Sequence, residues 1–363
     1  MKKSSSILLI IAGGCVAVGI LLCAFSATLI FFNPTQWNVE DYHTVNHTVT
    51  EPFTGIRVEG ESDSDVTLLP AKEGQQYLVV THESESQPHT VRVENGTLLI
   101  RPRDERKWYD HISLFSFSSP KITVYLPEPA YESLYIENDT GEVETHGALT
   151  FGNVDIHTST GDVTLKSQVN GNLSVQTDTG SIEIWGVNGD AVTLSATTGD
   201  IHLSNVQVEG DVTVTTSTGH QSISELQCRN LVLRCTTGGI SGESMQIGEA
   251  LQFRSSTGRV TLNRVQCGSV NGEASTGSIV CSDFRVAGNL HMETSTGDIK
   301  LTASDAAALS IKTDTGDVEG SLLSDKVFYT ESDTGNIRVP KSNSGGLCNV
   351  QTDTGDITFE ILS

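Results

Sequence analysis

Carboxylates recur at fixed steps along this chain. Asp314, Asp333 and Asp353 each stand two residues before a glycine, and Asp317 and Asp356 each follow one directly. If those glycines stack, like carboxylates lie within about 5 Å of one another. Hard oxygen donors at such spacing attract calcium. Turns explain the same residues without a metal, because an Asp side chain bonds nearby backbone and can cap a turn. The expectation is a capped turn ladder with no cofactor, and calcium at Asp314, Asp317, Asp333, Asp353 and Asp356 is its chemical alternative.

A second concentration of functional side chains is basic and aromatic. Arg101, Arg103, Arg106 and Lys107 run into Trp108 and Tyr109, with Phe115 and Phe117 close behind. Arginine and aromatic residues are over-represented at binding hot spots, so Arg103, Arg106, Lys107, Trp108 and Tyr109 are the candidate partner-binding set. The competing expectation is a hairpin whose aromatics plug the end of a larger stack. Cysteines do less. Cys228, Cys235, Cys267, Cys281 and Cys348 lack the paired spacing of a zinc site, and free, buried thiols are expected. No nucleophile motif or phosphate-binding loop is present, and no two carboxylates are placed to share a cleft. The chain reads as a non-enzyme.

What positions these residues is a repeat. Thr-Gly recurs every 19 or 20 residues from Thr140 to Gly355, twelve times. A period in this range marks stacked coils, with contacts only between neighbours. Within one unit, Leu173, Val175 and Thr177 alternate with Ser174, Gln176 and Asp178, and period-two alternation means a strand with one buried face. Two residues past the glycines stand Val163, Ile182, Ile201, Ile240, Val260, Ile279, Ile299, Val318, Ile337 and Ile357. At Gln221 the register looks slipped. The prediction is an all-β parallel β-solenoid, β-helix-like, of about twelve coils and roughly 58 Å at strand spacing. Its uniform coils leave no insertion long enough to wall a catalytic pocket.

The amino-terminal end differs. Residues 7–32 carry no charge and follow Lys2 and Lys3; a run this long can span a bilayer as one helix, with the lysines inside. A cleaved signal peptide, or lipid on Cys15, are the alternatives. The divisions are then a transmembrane anchor at 1–32, a polar linker at 33–50, an irregular strand-rich cap at 51–136 and the solenoid at 137–363. In the cap, Phe53–Val58 and Asp65–Leu68 read as degenerate coils. The chain carries net charge −23, and all 45 acidic residues lie beyond the apolar segment. Such a surface disfavours nucleic acid.

The Thr-Gly-Asp turns, together with Val124-Tyr125-Leu126-Pro127, make the chain similar to the bacterial "putative adhesin" family of β-solenoid domains of unknown function. The resemblance spans roughly residues 51–363. It implies an outer-surface location, no catalytic residues, and an unidentified protein or glycan ligand. The expected protein is a single-pass rod in the cell membrane with its repeat domain extracellular, acting in adhesion or as a scaffold; envelope-stress sensing is the alternative role.

Overall fold

The computed structural model describes residues 42–59, 63–84, 87–103, 120–127 and 130–362, with Gly19 alone before them. The segment expected to cross the membrane lies outside the described residues. Among those described, no helix is long and apolar enough to span a bilayer. All named elements are strands.

Alternation in the sequence becomes two columns of inward side chains. On one face Val163 pairs with Ile182, Ile182 with Ile201, Ile201 with Gln221 and Gln221 with Ile240, all in parallel register. On the other face Leu173, Val192, Val212, Leu231 and Leu251 stack in the same way. Every aliphatic member of both columns is at most 1% exposed, and each such burial contributes on the order of 1.5–3 kcal/mol before entropy is subtracted. The fold is therefore the expected parallel β-solenoid. Its twelve Thr-Gly corners form one unbroken column bounding about eleven turns.

The corner shows why glycine is required. Gly161 to Gly316 hold φ between +140° and +152°, and a Cβ on any of them would overlap a carbonyl oxygen in the preceding coil. Left-handed backbone and close approach both exclude other residues. At several corners a hydroxyl three residues before the glycine caps the turn, as at Thr177, Thr294, Thr313, Ser332 and Thr352. Thr294 Oγ1 donates to Gly277 O at 3.2 Å and Thr313 Oγ1 to Gly297 O at 3.1 Å. Both threonines are buried.

Two expectations about register need correction. Gln221 is not slipped. It occupies the aliphatic column, fully buried, and its Nε2 donates to Thr216 Oγ1 at 3.1 Å and Arg234 O at 2.6 Å. The second concerns the order of the coils. The strand segment around Leu309 does not stack on the next coil in sequence: Leu309 pairs with Cys348, and Cys348 with Phe328. Likewise Ile357 lies between Val318 and Ile337. The last coil of the chain is thus tucked one layer in, and the coil Lys326–Arg338 is outermost.

The amino-terminal region repeats this device. Strands β1 (His43–Val49), β2 (Gly55–Val58), β3 (Asp65–Pro70), β4 (Tyr77–Glu83), β5 (His89–Glu94), β6 (Thr97–Pro102), β7 (Lys121–Leu126), β8 (Ala130–Thr140) and β9 (Val143–Thr145) are followed by the regular array. The expected degenerate coils are real. β2 and β3 stack directly on β8 and β9, while β6 and β7 stack outside β2 and β3. Beyond them the stacking stops being parallel: β4 runs antiparallel to β7, β5 to β6 and β1 to β4. Residues 43–49, expected as linker, are therefore the outermost strand of the cap.

Candidate interaction surfaces

The acidic ladder is structural where it can be followed. In the position after the glycine, each Asp accepts a backbone N–H from the same slot of the next coil. Asp162 Oδ1 takes Ser181 N at 2.7 Å, Asp200 Oδ1 takes His220 N at 2.7 Å, and Asp298 Oδ1 takes Asp317 N at 3.0 Å. Two calcium candidates belong to this chain of bonds. Asp317 Oδ1 takes Asp356 N at 2.8 Å, and Asp356 Oδ1 takes Asn336 N at 2.7 Å. Asp314 sits 3.7 Å from Lys312 Nζ, and Asp333 and Asp353 are exposed on the flank. Because the last two coils are exchanged, Asp353 rather than Asp333 is stacked beside Asp314. Among the described residues no three His, Cys, Asp or Glu converge on a point that could hold a metal.

Of the candidate partner-binding set, Arg103 alone is described, its N–H donating to Pro88 O at 2.8 Å. Arg106, Lys107, Trp108 and Tyr109 lie outside the described residues. The structure joins Arg101, from the same basic run, to Arg57, which the sequence did not single out. Arg57 and Arg101 both reach the Glu59 carboxylate, and Arg57 lies 4.2 Å over the ring of Tyr135. Hydrogen bonds from Arg57 and Arg101 hold Glu59 below the usual carboxylate range. A parallel register joins β2 to β8 here, placing Arg57 opposite Tyr135; no local sequence pattern announces that contact.

A concavity on the surface also has no motif in the sequence. An open trough of about 900 Å³ crosses the coils of the carboxyl-terminal half. One wall is a stack of amides, with Gln227, Gln246 and Gln266 in register, each in the eighth position after its glycine. Arg285 and Asp305 continue that line. Small residues make the floor, among them Gly248, Gly268, Ala287 and Ala307. At its far end Lys326, 2% exposed, donates from Nζ to Asp305 Oδ1 at 2.6 Å. Burial opposes the charge on Asp305, but bonds from Lys326 and Ser324 outweigh it and lower its pKa.

The thiols of this trough are held protonated. Cys228 and Cys267 line it as free thiols, and burial pushes both up to about 12. They are the buried, small apolar groups that the spacing suggested, two coils apart in one column with Ile247 between them. What the trough can do is exchange hydrogen bonds with an elongated polar molecule, using amides repeated at each coil and the exposed Arg285 guanidinium.

Comparison with known proteins agrees with this architecture. The profile of the Toastrack DUF4097 family matches residues 53–215 and again 210–360, and the chain belongs to that family. Its two matches divide a stack that is continuous in space. Among solved structures, it is similar to a "putative adhesin" of Bacteroides fragilis, at 11% identity and a TM-score of 0.30, covering 88% of this chain and 97% of that one. Another from Parabacteroides distasonis shares 10% identity at a TM-score of 0.33, covering 89% and 98%. A third, from Parabacteroides merdae, shares 12% at a TM-score of 0.30, covering 89% and 97%. These superpositions are loose, and the family assignment rests on the profile match. No curated protein matches the chain.

Proposed function

We propose that the protein is a non-enzymatic, adhesin-like rod, held at the cell membrane by its amino-terminal segment and facing outward. Its trough is the surface that engages a protein or glycan. The observation that carries this reading is the trough itself: an amide ladder from Gln227 to Gln266, set beside a floor of small residues. A site of this kind reads an extended, polar, repeating ligand through many weak contacts. Raised thiol pKa values and coils of constant length favour contact over catalysis. The acidic surface favours neutral or cationic partners over nucleic acid.

The test is adherence of cells displaying the full chain to envelope fractions and polysaccharide-coated surfaces. Replacing Gln227, Gln246, Gln266 and Arg285 by Ala should reduce adherence at least tenfold, since a few central contacts dominate binding, while leaving thermal unfolding nearly unchanged. A Thr193→Ala control, exposed on the flank away from the trough, should adhere normally. Full adherence of the quadruple variant would remove the trough from the mechanism and the adhesin reading with it.

A further inference from the structure

The carboxyl-terminal end of the rod is unlike its flanks. Ile337 ends an inward column whose other late members, Ile299, Val318 and Ile357, are fully buried, yet it is 44% exposed. Phe328 and Val339 beside it are only partly covered. Of the six large apolar residues that stand exposed among those described, five (Leu323, Tyr329, Ile337, Leu347 and Leu362) fall in the stretch 323–362. Backbone groups are open here as well. The strands Lys326–Thr334 and Ile337–Arg338 each have a ladder on one side only.

We propose that this end docks a second copy of the chain, two rods meeting end to end across a twofold axis. Their Lys326–Thr334 strands pair antiparallel. A free edge accepts another strand through its unpaired N–H and C=O groups, and a twofold axis across an edge places a strand against itself in antiparallel sense. Head-to-tail stacking into a filament would need a parallel coil edge at the opposite end, where β1, β4 and β5 run antiparallel instead. The tail-to-tail contact is therefore closed at two copies.

Charge points to the same partner. A chain of net charge −23 repels its copies, but the outermost coil is an exception. Between 326 and 341 its exposed charges are Arg338 and Lys341 against Glu331 and Asp333, a balanced set, since Lys326 is buried and paired with Asp305. Self-repulsion is thus absent at the apolar, open end, and acid and base from one copy can face base and acid from the other. Tyr42 and β1 stand at the far end of the stack, away from this surface.

The mass of the full-length protein in detergent, followed by light scattering or sedimentation, tests the assignment. Wild type should behave as a dimer, and Ile337→Lys should raise its dissociation constant roughly tenfold or more, as loss of a central apolar contact does. Glu331→Cys should cross-link to its mate through a short bismaleimide, because it is exposed and one residue from the middle of the strand, near the axis. Thr193→Cys, on the flank, should not. The cross-link decides the matter even if the lysine variant folds poorly. A monomer at every concentration overturns the proposal. So does a dimer that survives Ile337→Lys while Glu331→Cys forms no bridge, which would assign association to another segment such as residues 1–41.

Discussion

The two ends of this rod share a topological device and differ in how they are finished. At the amino-terminal end the coil β2–β3 is slipped between β6–β7 and β8–β9, and at the carboxyl-terminal end the last coil is slipped beneath Lys326–Arg338. Each exchange pins the end coil with ladders on both sides, so neither the first nor the last coil can peel alone. Beyond the exchange the ends diverge. Antiparallel β1, β4 and β5 cover one, and they bury a polar network in which Glu83 Oε2 accepts from Thr81 Oγ1 at 2.9 Å and His89 N at 2.8 Å. Nothing among the described residues covers the other. A solenoid needs its ends shielded, and the contrast separates an end built to finish the stack from one left able to continue it.

The largest effect that sharpens this contrast is a corner substitution. Gly258→Ala, mid-rod, places a Cβ on the Gly238 carbonyl oxygen at φ +145°. Coils press on it from both sides, so relief requires opening the stack. The cost should be about 4 kcal/mol or more, in the range reserved for severe core disruption. Gly335→Ala also meets a carbonyl, that of Gly355, but its backbone is outside the left-handed region and the outermost coil can move outward into solvent. Thermal unfolding should show a collapse of the first variant and only a modest loss in the second. Equal losses would mean that the open end is as constrained as the middle.

A second contrast is in pH. Burial lowers the pKa of His89 in the cap, although Glu83 Oε2 at 2.9 Å opposes the shift. The folded cap therefore holds His89 neutral, while the unfolded chain takes up a proton below its ordinary value near 6.5. Stability at that end is present above this range and falls as pH drops below it. Asp305 at the other end has a lowered pKa, so the stabilisation it provides is complete above the ordinary carboxylate value and is lost as pH falls through the folded one. Hydrogen exchange along a titration from neutral to acid should show the amino-terminal cap loosening first. The strands around Lys326 should follow only in the carboxylate range. Lys326→Met should leave the cap unaffected and loosen the open end already at neutral pH, by about 2 kcal/mol once the partial exposure of Asp305 is allowed for. Simultaneous loosening of both ends would break the distinction.

These differences also divide what the sequence makes legible from what it does not. The stack, its inward columns and the glycine corner follow from a single repeated pattern. The exchanged coils do not, because parallel partners with the same pattern are interchangeable and spacing is the same whichever one lies above. One cue was present. Ile311 and Val350 occupy an inward slot where the outermost coil has Thr330, and a polar residue there marks a coil with nothing stacked on it. Gln221 is the opposite case: it is polar in the same kind of slot, yet held in register by Thr216 and Arg234, so polarity alone did not report a slip. The trough escaped notice because its parts lie 19 or 20 residues apart and none is a motif by itself. Arg106, Lys107, Trp108 and Tyr109 fall outside the described residues, so the sequence remains their sole description.

The smallest predicted effect concerns a second corner, six residues past the glycines from Gly180 to Gly297, where only the first position is itself a glycine. Asn205, Glu225, Ser244, Arg264, Asp283 and Ala303 hold φ between +48° and +56° there. Gly186 begins this left-handed column, and it ends at Ala303, one coil short of the exchanged pair, where Leu322 is buried instead. Left-handed backbone costs an L-residue roughly 1–2 kcal/mol, and glycine removes that strain while costing about 0.5–1 kcal/mol of added chain entropy. Ala303→Gly should therefore stabilise the rod by about 0.5 kcal/mol, and Asn205→Gly by less, since Asn tolerates this conformation better. Because Ala303 N donates to Ser321 Oγ at 2.9 Å and Ala303 O accepts from Arg285 Nη1 at 3.1 Å, neither bond is lost with the methyl group. Denaturant unfolding of the two variants measures the difference. A destabilised Ala303→Gly would show that the methyl group there supports the open end by packing, and that the strain is the lesser effect.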